Sequence, residues 1–320
     1  MIDGWKVVAR KGEFQVNENV LYFEVDCFLP KADARFEFLM KNGVRTFEEN
    51  QGHVLRTVRL RKQISQGLIQ KIDIFPEILG LPIDMDFAEA IGIKKWEPTI
   101  DPSLAGQVKG AFPNFIKKTD QERCQNIVDE IFSIDNLTAE FEVSLKLDGM
   151  SVTLYSYNGT VGVCSRNLEL KINEENSENA LVKILTDTGL INHISGLGNI
   201  AIQGELMGPK IQDNREKLTK PTFFVFDIQN LDTGEYFSAE DRYAIMNRLE
   251  ENGVKLLQAP ILHQHVRLKD LGINNLDDLL DFAVVPSINN LVGEGLVFKR
   301  AGGLFSFKAI SNLYLLNKKE

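Results

Sequence analysis

Three cysteines in 320 residues, Cys27, Cys124 and Cys164, are too few, too widely spaced and odd in number for a disulfide framework or a paired zinc-ligand motif. They fit a reducing compartment. The start, Met1-Ile2-Asp3-Gly4-Trp5, lacks the basic region and apolar stretch of a secretory leader, and no run reaches the ~18 apolar residues that a membrane-spanning helix needs. No membrane association is expected, and the location read from these absences is the cytoplasm, or the host cytoplasm for a viral chain. There is no excess of basic charge either: 36 Lys and Arg against 45 Asp and Glu leave a net charge of −9. That excludes a protein whose whole surface coats nucleic acid, and leaves room for a local basic groove. No repeat of 20 to 50 residues is found. The four histidines have no ligand spacing apart from His263 and His265, which stand in a featureless segment, so no metal is assigned to them.

What is present is ordinary for a globular chain, with 43% apolar and 25% charged residues, and the length suggests two domains. Short apolar runs in residues 5–29 alternate with Lys11-Gly12 and Asn17-Glu18-Asn19, the punctuation of antiparallel strands. Residues 54–62 continue this all-β unit. In an extended chain Arg59 and Arg61 project from one face and Val58 and Leu60 from the other. A solvated strand face is the commoner reading of such a pair, and a docking face for a phosphate backbone is the other. Residues 1–100 carry 14 basic and 15 acidic side chains, so nearly all the net negative charge lies beyond them. Residues 80–110, with Pro82, Pro98 and Pro102, read as a linker and lead-in.

Thr119-Asp120-Gln121-Glu122 has the spacing of a capping box, and Ile127, Val128 and Ile131 follow at helical intervals, which predicts a helix containing Arg123. Strands are then expected at 141–147, 151–157, 161–164, 200–206, 223–228 and 295–299, and helices at 178–188, 239–252 and 276–282. The fold class is α+β.

Lys146-Leu147-Asp148-Gly149 closes the first of these strands, with Lys146 and Asp148 two apart and therefore on one face. A nucleophilic lysine must be neutral, and at an ordinary pKa of ~10.4 only about one in a thousand is neutral at physiological pH. Bringing it to ~7 takes roughly 4 to 5 kcal/mol of bias against the ammonium, from a metal cation, other cationic groups or desolvation. Taken alone, the tetrapeptide is more often a plain surface turn.

Further segments follow in order: Ser165-Arg166-Asn167, Gly204-Glu205-Leu206, Phe223-Phe224-Val225-Phe226-Asp227, Glu294 to Lys299 (EGLVFK) and Phe307 to Asn312 (FKAISN). With the lysine tetrapeptide they resemble motifs I, Ia, III, IIIa, IV and V of the covalent nucleotidyltransferases, which comprise RNA ligases, DNA ligases and mRNA capping enzymes. The wording GELMGPKIQDNREKL, FKAISNLYLL and FPNFIKKTDQERCQN is similar to the ATP-dependent RNA ligases of the Deinococcus and Naegleria type. That resemblance implies an N-terminal OB-fold-like β-barrel module over residues 1–100 and a nucleotidyltransferase (ATP-grasp-like ligase) domain of antiparallel sheets and helices over 101–320. It covers nearly the whole chain.

The resemblance further implies ATP and Mg²⁺ or Mn²⁺ as cofactors. It implies RNA with 3′-OH and 5′-phosphate ends, such as a nicked duplex, as substrate, and no obligate protein partner. Lys146 would take AMP as a phosphoramide, with Asp148 beside it in the nucleotide site. Arg166 would hold ribose or phosphate oxygens, Glu205 the ribose hydroxyls, and Phe224 would stack on adenine while Phe226 stays in the core. Glu294 would bind the metal. Lys299, expected on the strand face opposite to Glu294, and Lys308 would contact phosphate, Arg123 would reach AMP, and Arg59 and Arg61 would dock RNA. One departure is that the KxK pattern of motif V has Ser306 in place of its first lysine. The OB module is expected to be shortened at its start. Only 12 residues follow Lys308, which speaks against DNA ligases and capping enzymes with an OB domain after motif V. The competing readings are a non-catalytic nucleotide- or nucleic-acid-binding homologue and a polynucleotide ligase acting mainly on DNA.

Overall fold

The computed structural model describes residues 2, 4–83, 85–96, 106–118, 121–289, 291–302 and 305–317. The chain divides into two compact units, Met1–Pro102 and Ser103–Glu320. The expected division at residue 100 and the capping residue Thr119 lie outside the described residues.

Among its described residues the first unit contains eight short strands: β1 (Val20–Phe23), β2 (Cys27–Pro30), β3 (Arg45–Phe47), β4 (Asn50–Val54), β5 (Thr57–Leu60), β6 (Gln63–Gln66), β7 (Leu68–Lys71) and β8 (Lys94–Lys95). They form a four-stranded sheet in the order β3-β4-β2-β8 and two pairs, β1-β7 and β5-β6. Leu21, Phe23, Leu29, Phe36, Leu55 and Phe75 are buried together as its core. A 3-10 helix, Ala34–Asn42, fills one side and is capped by Asp33, whose side chain accepts from the Arg35 amide.

Two expectations are corrected here. Ile91 and Ile93 lie in the core and Lys95 pairs with Cys27, so residues up to 96 are part of the folded unit and not linker. Their apolar side chains are spaced too irregularly to announce an element. Arg61 is not on a strand with Arg59. β5 and β6 are joined through Arg61 and Lys62, at φ +47° and +70°, the two left-handed residues that a type I′ hairpin loop needs. Val58 and Leu60 are exposed on this ribbon and not buried beneath it.

The second unit contains strands β9 (Val108–Ala111), β10 (Glu122–Arg123), β11 (Phe141–Lys146), β12 (Met150–Tyr157), β13 (Thr160–Cys164), β14 (Leu168–Leu170), β15 (Ile200–Met207), β16 (Thr222–Asn230), β17 (Leu257–Gln258), β18 (Ile261–Val266), β19 (Gly295–Arg300) and β20 (Ser306–Ile310). Its helices are α1 (Val128–Ile131), α2 (Ile134–Thr138), α3 (Ala180–Asp187), α4 (Leu190–His193), α5 (Ala239–Glu251), α6 (Leu276–Phe282) and α7 (Asn312–Asn317).

One sheet has the order β17-β16-β15-β12-β13-β14-β9 and the other β10-β20-β19-β11-β18. Val152, Leu154, Ile202 and Val225 of the larger sheet pack on Leu181, Leu185, Leu190 and Leu249 of the helices. Phe141, Val143, Phe298 and Phe307 of the smaller sheet pack on Leu276, Leu279 and Leu280 of α6. Alternation along β11, β19 and β20 sends Glu142, Ser144, Lys146, Val297, Lys299, Ser306 and Lys308 to the other face, toward the larger sheet. Glu142, Lys146, Lys299 and Lys308 are thus gathered on the face between the two sheets.

Candidate active site

Lys146 is the last residue of β11 and stands opposite Gly295, the first residue of β19. Gly295 sits at φ +146°, where a side chain would collide with the carbonyl oxygen of Ala309. The backbone therefore breaks its alternation there. Glu294, immediately before the strand, turns back so that its Oε1 lies 2.8 Å from Lys146 Nζ. This break also corrects the expected position of Lys299: the register Lys146↔Gly295, Ser144↔Val297, Glu142↔Lys299 puts it on the same face as Lys146.

Glu205, on β15 and opposite Ser151, accepts a 2.9 Å hydrogen bond from the Gly149 amide. Gly149 is required by close approach, since a Cβ there would meet Met207 Cγ at 2.8 Å and the Leu206 carbonyl closer still. Asp148 accepts from the Tyr314 hydroxyl at 2.6 Å.

Three carboxylates thus surround one amine. Burial disfavours the Lys146 ammonium, but Glu294, Glu205 and Asp148 outweigh it and hold the amine above its ordinary pKa. This reverses the lowering expected of a nucleophile. Burial pushes the Glu205 carboxyl up to about 7, with Lys146 pulling it down and Glu294 and Asp148 adding to the rise. The excess of negative charge suits cations.

Glu294 Oε2 is buried and makes no hydrogen bond, so half of that carboxylate is open to a metal ion. Among the described residues there is no group of three or more His, Cys, Asp or Glu that could form a cage by themselves. One carboxylate with room for waters and phosphate oxygens fits Mg²⁺ or Mn²⁺.

Lys308, on β20, stands opposite Val297 and beside Arg123 in the parallel pair β10-β20. Arg123 is therefore on a strand and not in a helix. Glu122 accepts from the Asn126 side chain and the Arg123 amide, and the helix begins only at Val128. Ser306 lies directly across from Lys299. Arg166 is exposed in the turn between β13 and β14.

Phe224 is buried with Leu147, Met207 and Ala259, whereas Phe226 is only partly buried and has Lys299 Nζ 6.0 Å above its ring. Lys299 donates to the Phe226 carbonyl and lies 2.7 Å from Asp227 Oδ1. Burial lowers its pKa against the pull of Asp227. Beyond that pair is a cavity of about 560 Å³, lined by Glu142, Asp227, Ser238, Arg242 and His265. In it Arg242 Nη2 reaches both oxygens of Glu142 at 2.7 Å.

Arg215, Tyr314, Asp227 and the Glu142–Arg242 pair were not singled out from the sequence. Arg215 and Tyr314 lie within the quoted segments GELMGPKIQDNREKL and FKAISNLYLL, which was the available signal. Arg242 reads there as a solvated residue of an amphipathic helix.

The RNA ligase family model matches residues 139–310, and an OB-fold domain model matches residues 1–72. The chain belongs to the RNA ligase family. The solved structure of Naegleria gruberi RNA ligase with PPi is 41% identical, with a TM-score of 0.87, over 98% of this chain and 90% of that one. A mutant of that ligase with ATP and Mn is 40% identical, with the same TM-score, over 98% and 91% of the two chains. A mutant with AMP and Mn is likewise 40% identical at a TM-score of 0.87, over 98% and 90%. No curated protein sequence matches. The family assignment fits the α+β architecture, an OB fold followed by a sheet-rich ligase domain with helices. Among the described residues no helix is long and apolar enough to cross a membrane.

Proposed function

We propose that this ligase is ATP-dependent and joins RNA 3′-OH and 5′-phosphate ends through AMP carried on Lys146. The observation that carries the reading is the Lys146 amine at a strand end within reach of Glu294, with Glu205 and Asp148 beside it and one Glu294 oxygen unsatisfied.

Lys146 Nζ, once it has lost a proton, attacks the α-phosphorus of ATP; an N–P bond forms and pyrophosphate leaves. A 5′-phosphate oxygen of RNA then attacks the same phosphorus, breaking the N–P bond. The 3′-hydroxyl finally attacks the capped 5′-phosphate and AMP departs. Glu294 would hold the divalent cation, with Mg²⁺ or Mn²⁺ neutralising phosphate charge when bound. Phe226, rather than Phe224, offers the ring for adenine, with Val297 on the facing sheet. Lys308, Arg123 and Arg166 supply positive charge for the phosphates. Lys299 takes the place across from Ser306, where the pattern expects a second lysine. Arg59 and Arg61, both exposed on the β5-β6 ribbon, remain candidates for RNA backbone contact.

Incubation with radiolabelled ATP and Mn²⁺ should label the protein, and Lys146→Ala should abolish the label. A chase with 5′-phosphorylated nicked duplexes should release it into the strand, more readily with an RNA than a DNA 3′-end. Labelling of Lys146→Ala at the wild-type level would overturn the nucleophile. Equal use of DNA ends would overturn the substrate class.

A further inference from the structure

Residues 208–221 connect β15 to β16 in an unusual conformation, with Lys210, Gln212, Asn214 and Lys217 all at φ between +42° and +66°. The loop is closed on itself, since the Asn214 side chain accepts from the Leu218 amide and donates to its carbonyl, each at 3.1 Å. Ile211 anchors it in the apolar cluster beneath the larger sheet. From this base it reaches the turn after Lys146 and the segment leading to Glu294. Gln212 Nε2 donates to the Gly149 carbonyl, Glu216 accepts from the Asn289 amide at 2.6 Å, and Arg215 Nη2 donates to the Val292 carbonyl at 3.0 Å.

Arg215 also stacks over the Tyr314 ring at 4.7 Å, while its Nη1 lies 3.7 Å from Asp148 Oδ2. The Tyr314 hydroxyl donates to that same oxygen at 2.6 Å. Helix α7, which carries Tyr314, is itself tied to the metal-site glutamate, because the Ser311 amide donates to the Glu294 carbonyl at 2.9 Å. Two groups from distant parts of the chain thus converge on one oxygen of the carboxylate beside the nucleophile.

We propose that Arg215 and Tyr314 are positioning residues that lock Asp148 in place, and that the 208–221 loop acts as a strap joining the Lys146 turn, the approach to Glu294 and helix α7. The inference rests on the ligase reading above. Arg215 suits the task because its planar fork can bond a carbonyl and face a carboxylate while its flat face lies on a ring, which the point charge of a lysine cannot do. Tyr314 suits it because burial first, then Glu294 and the bond to Asp148, push its pKa far up, so it remains a neutral donor.

The test is single-turnover self-adenylylation by wild type, Arg215→Ala, Arg215→Lys, Tyr314→Phe and the double variant R215A/Y314F. A misplaced group near the reacting atoms should slow each single variant by on the order of tenfold to a hundredfold at saturating ATP, with the ATP half-saturation unchanged. Arg215→Lys should not restore the rate. The double variant should be no slower than the slower single variant, because both residues act through one carboxylate. A raised ATP half-saturation for Arg215→Ala would mean direct substrate contact and overturn the positioning role, as would full rescue by lysine or multiplicative losses in the double variant. If Arg215→Ala fails to fold, Tyr314→Phe, which keeps the ring and removes only the hydroxyl, decides the matter by its rate. A wild-type protein that takes no label defeats the ligase reading itself, whereas a labelled wild type with variants at full rate defeats this inference alone.

Discussion

Lys146 Nζ lies 2.8 Å from Glu294 Oε1, so the group assigned to attack phosphorus is paired as an ammonium with the group assigned to hold the divalent cation. The two assignments are coupled. Whatever occupies Glu294 withdraws the negative charge that favours the Lys146 proton.

Glu294→Ala therefore separates two effects. Were the ion pair only a restraint on the amine, its removal would speed labelling by ATP. The expected result is a loss on the order of a hundredfold, not recovered by excess Mn²⁺, because electrostatic support at the phosphates goes with the carboxylate. Lys308→Ala should lose a similar factor. Intact-protein mass spectrometry of the AMP adduct over time measures both.

The two aromatic residues of β16 should respond differently to truncation. Phe226→Ala removes the partly exposed ring and should weaken ATP binding by about 1 to 3 kcal/mol with little change in stability. Phe224→Ala leaves a hole among Leu147, Met207 and Ala259, and should cost about 3 to 5 kcal/mol of folding free energy. Titration with ATP and urea unfolding distinguish them. A weaker nucleotide affinity confined to Phe224→Ala would restore that ring to the adenine.

Arg242 and Glu142 form an ion pair with side chains only 2% and 8% exposed. Breaking such a pair leaves a buried charge alone, so Arg242→Met should lose about 3 to 5 kcal/mol. Adding Glu142→Leu should return most of it. Chemical denaturation of the three variants against wild type is the measurement, and a double variant as unstable as the single one would refute the account.

The thiols should be inert at neutral pH. Burial, with Glu24 adding to it, pushes Cys27 up to about 12, and burial pushes Cys124 up to about 12 despite Arg123. Alkylation by iodoacetamide in the native state should stay slow and keep rising with pH well beyond 9. The linkage has a definite sign. Between the ordinary thiol pKa of 9.0 and about 12 the unfolded chain has lost protons that the fold retains, so stability falls as pH rises through that window. Cys124→Ala should flatten that decline, as unfolding at a series of pH values would show.

The parts of this molecule that were legible in the sequence are those written by periodicity and by short motifs. β11 shows its alternation, α6 occupies the expected residues 276–282, and Lys146, Glu205 and Glu294 stand together despite lying up to 148 residues apart. What was not legible depends on partners far along the chain. Glu122 and Arg123 have the local spacing of a helix start, but pairing with Phe307 and Lys308 outweighs a capping preference of ~1 kcal/mol. Ile91 and Ile93 look like isolated apolar residues until Phe23 and Phe75 cover them. Arg61 follows a turn geometry that its own residue type does not announce. Lys299 was assigned to the wrong face because the glycine that opens its strand resets the alternation.

The two-residue strand β10 has a further consequence. Without it β20, the strand of Lys308, would form the rim of the smaller sheet and offer its amides and carbonyls to any other extended chain. Arg123 pairs alongside Lys308, and the Cys124 amide donates to the Lys308 carbonyl at 2.9 Å, so the ladder at that lysine is closed on both sides. At Phe307 and Lys308 this edge of the sheet is closed to pairing by another strand. The segment that brings a guanidinium beside Lys308 thereby also keeps a foreign strand from pairing at that lysine.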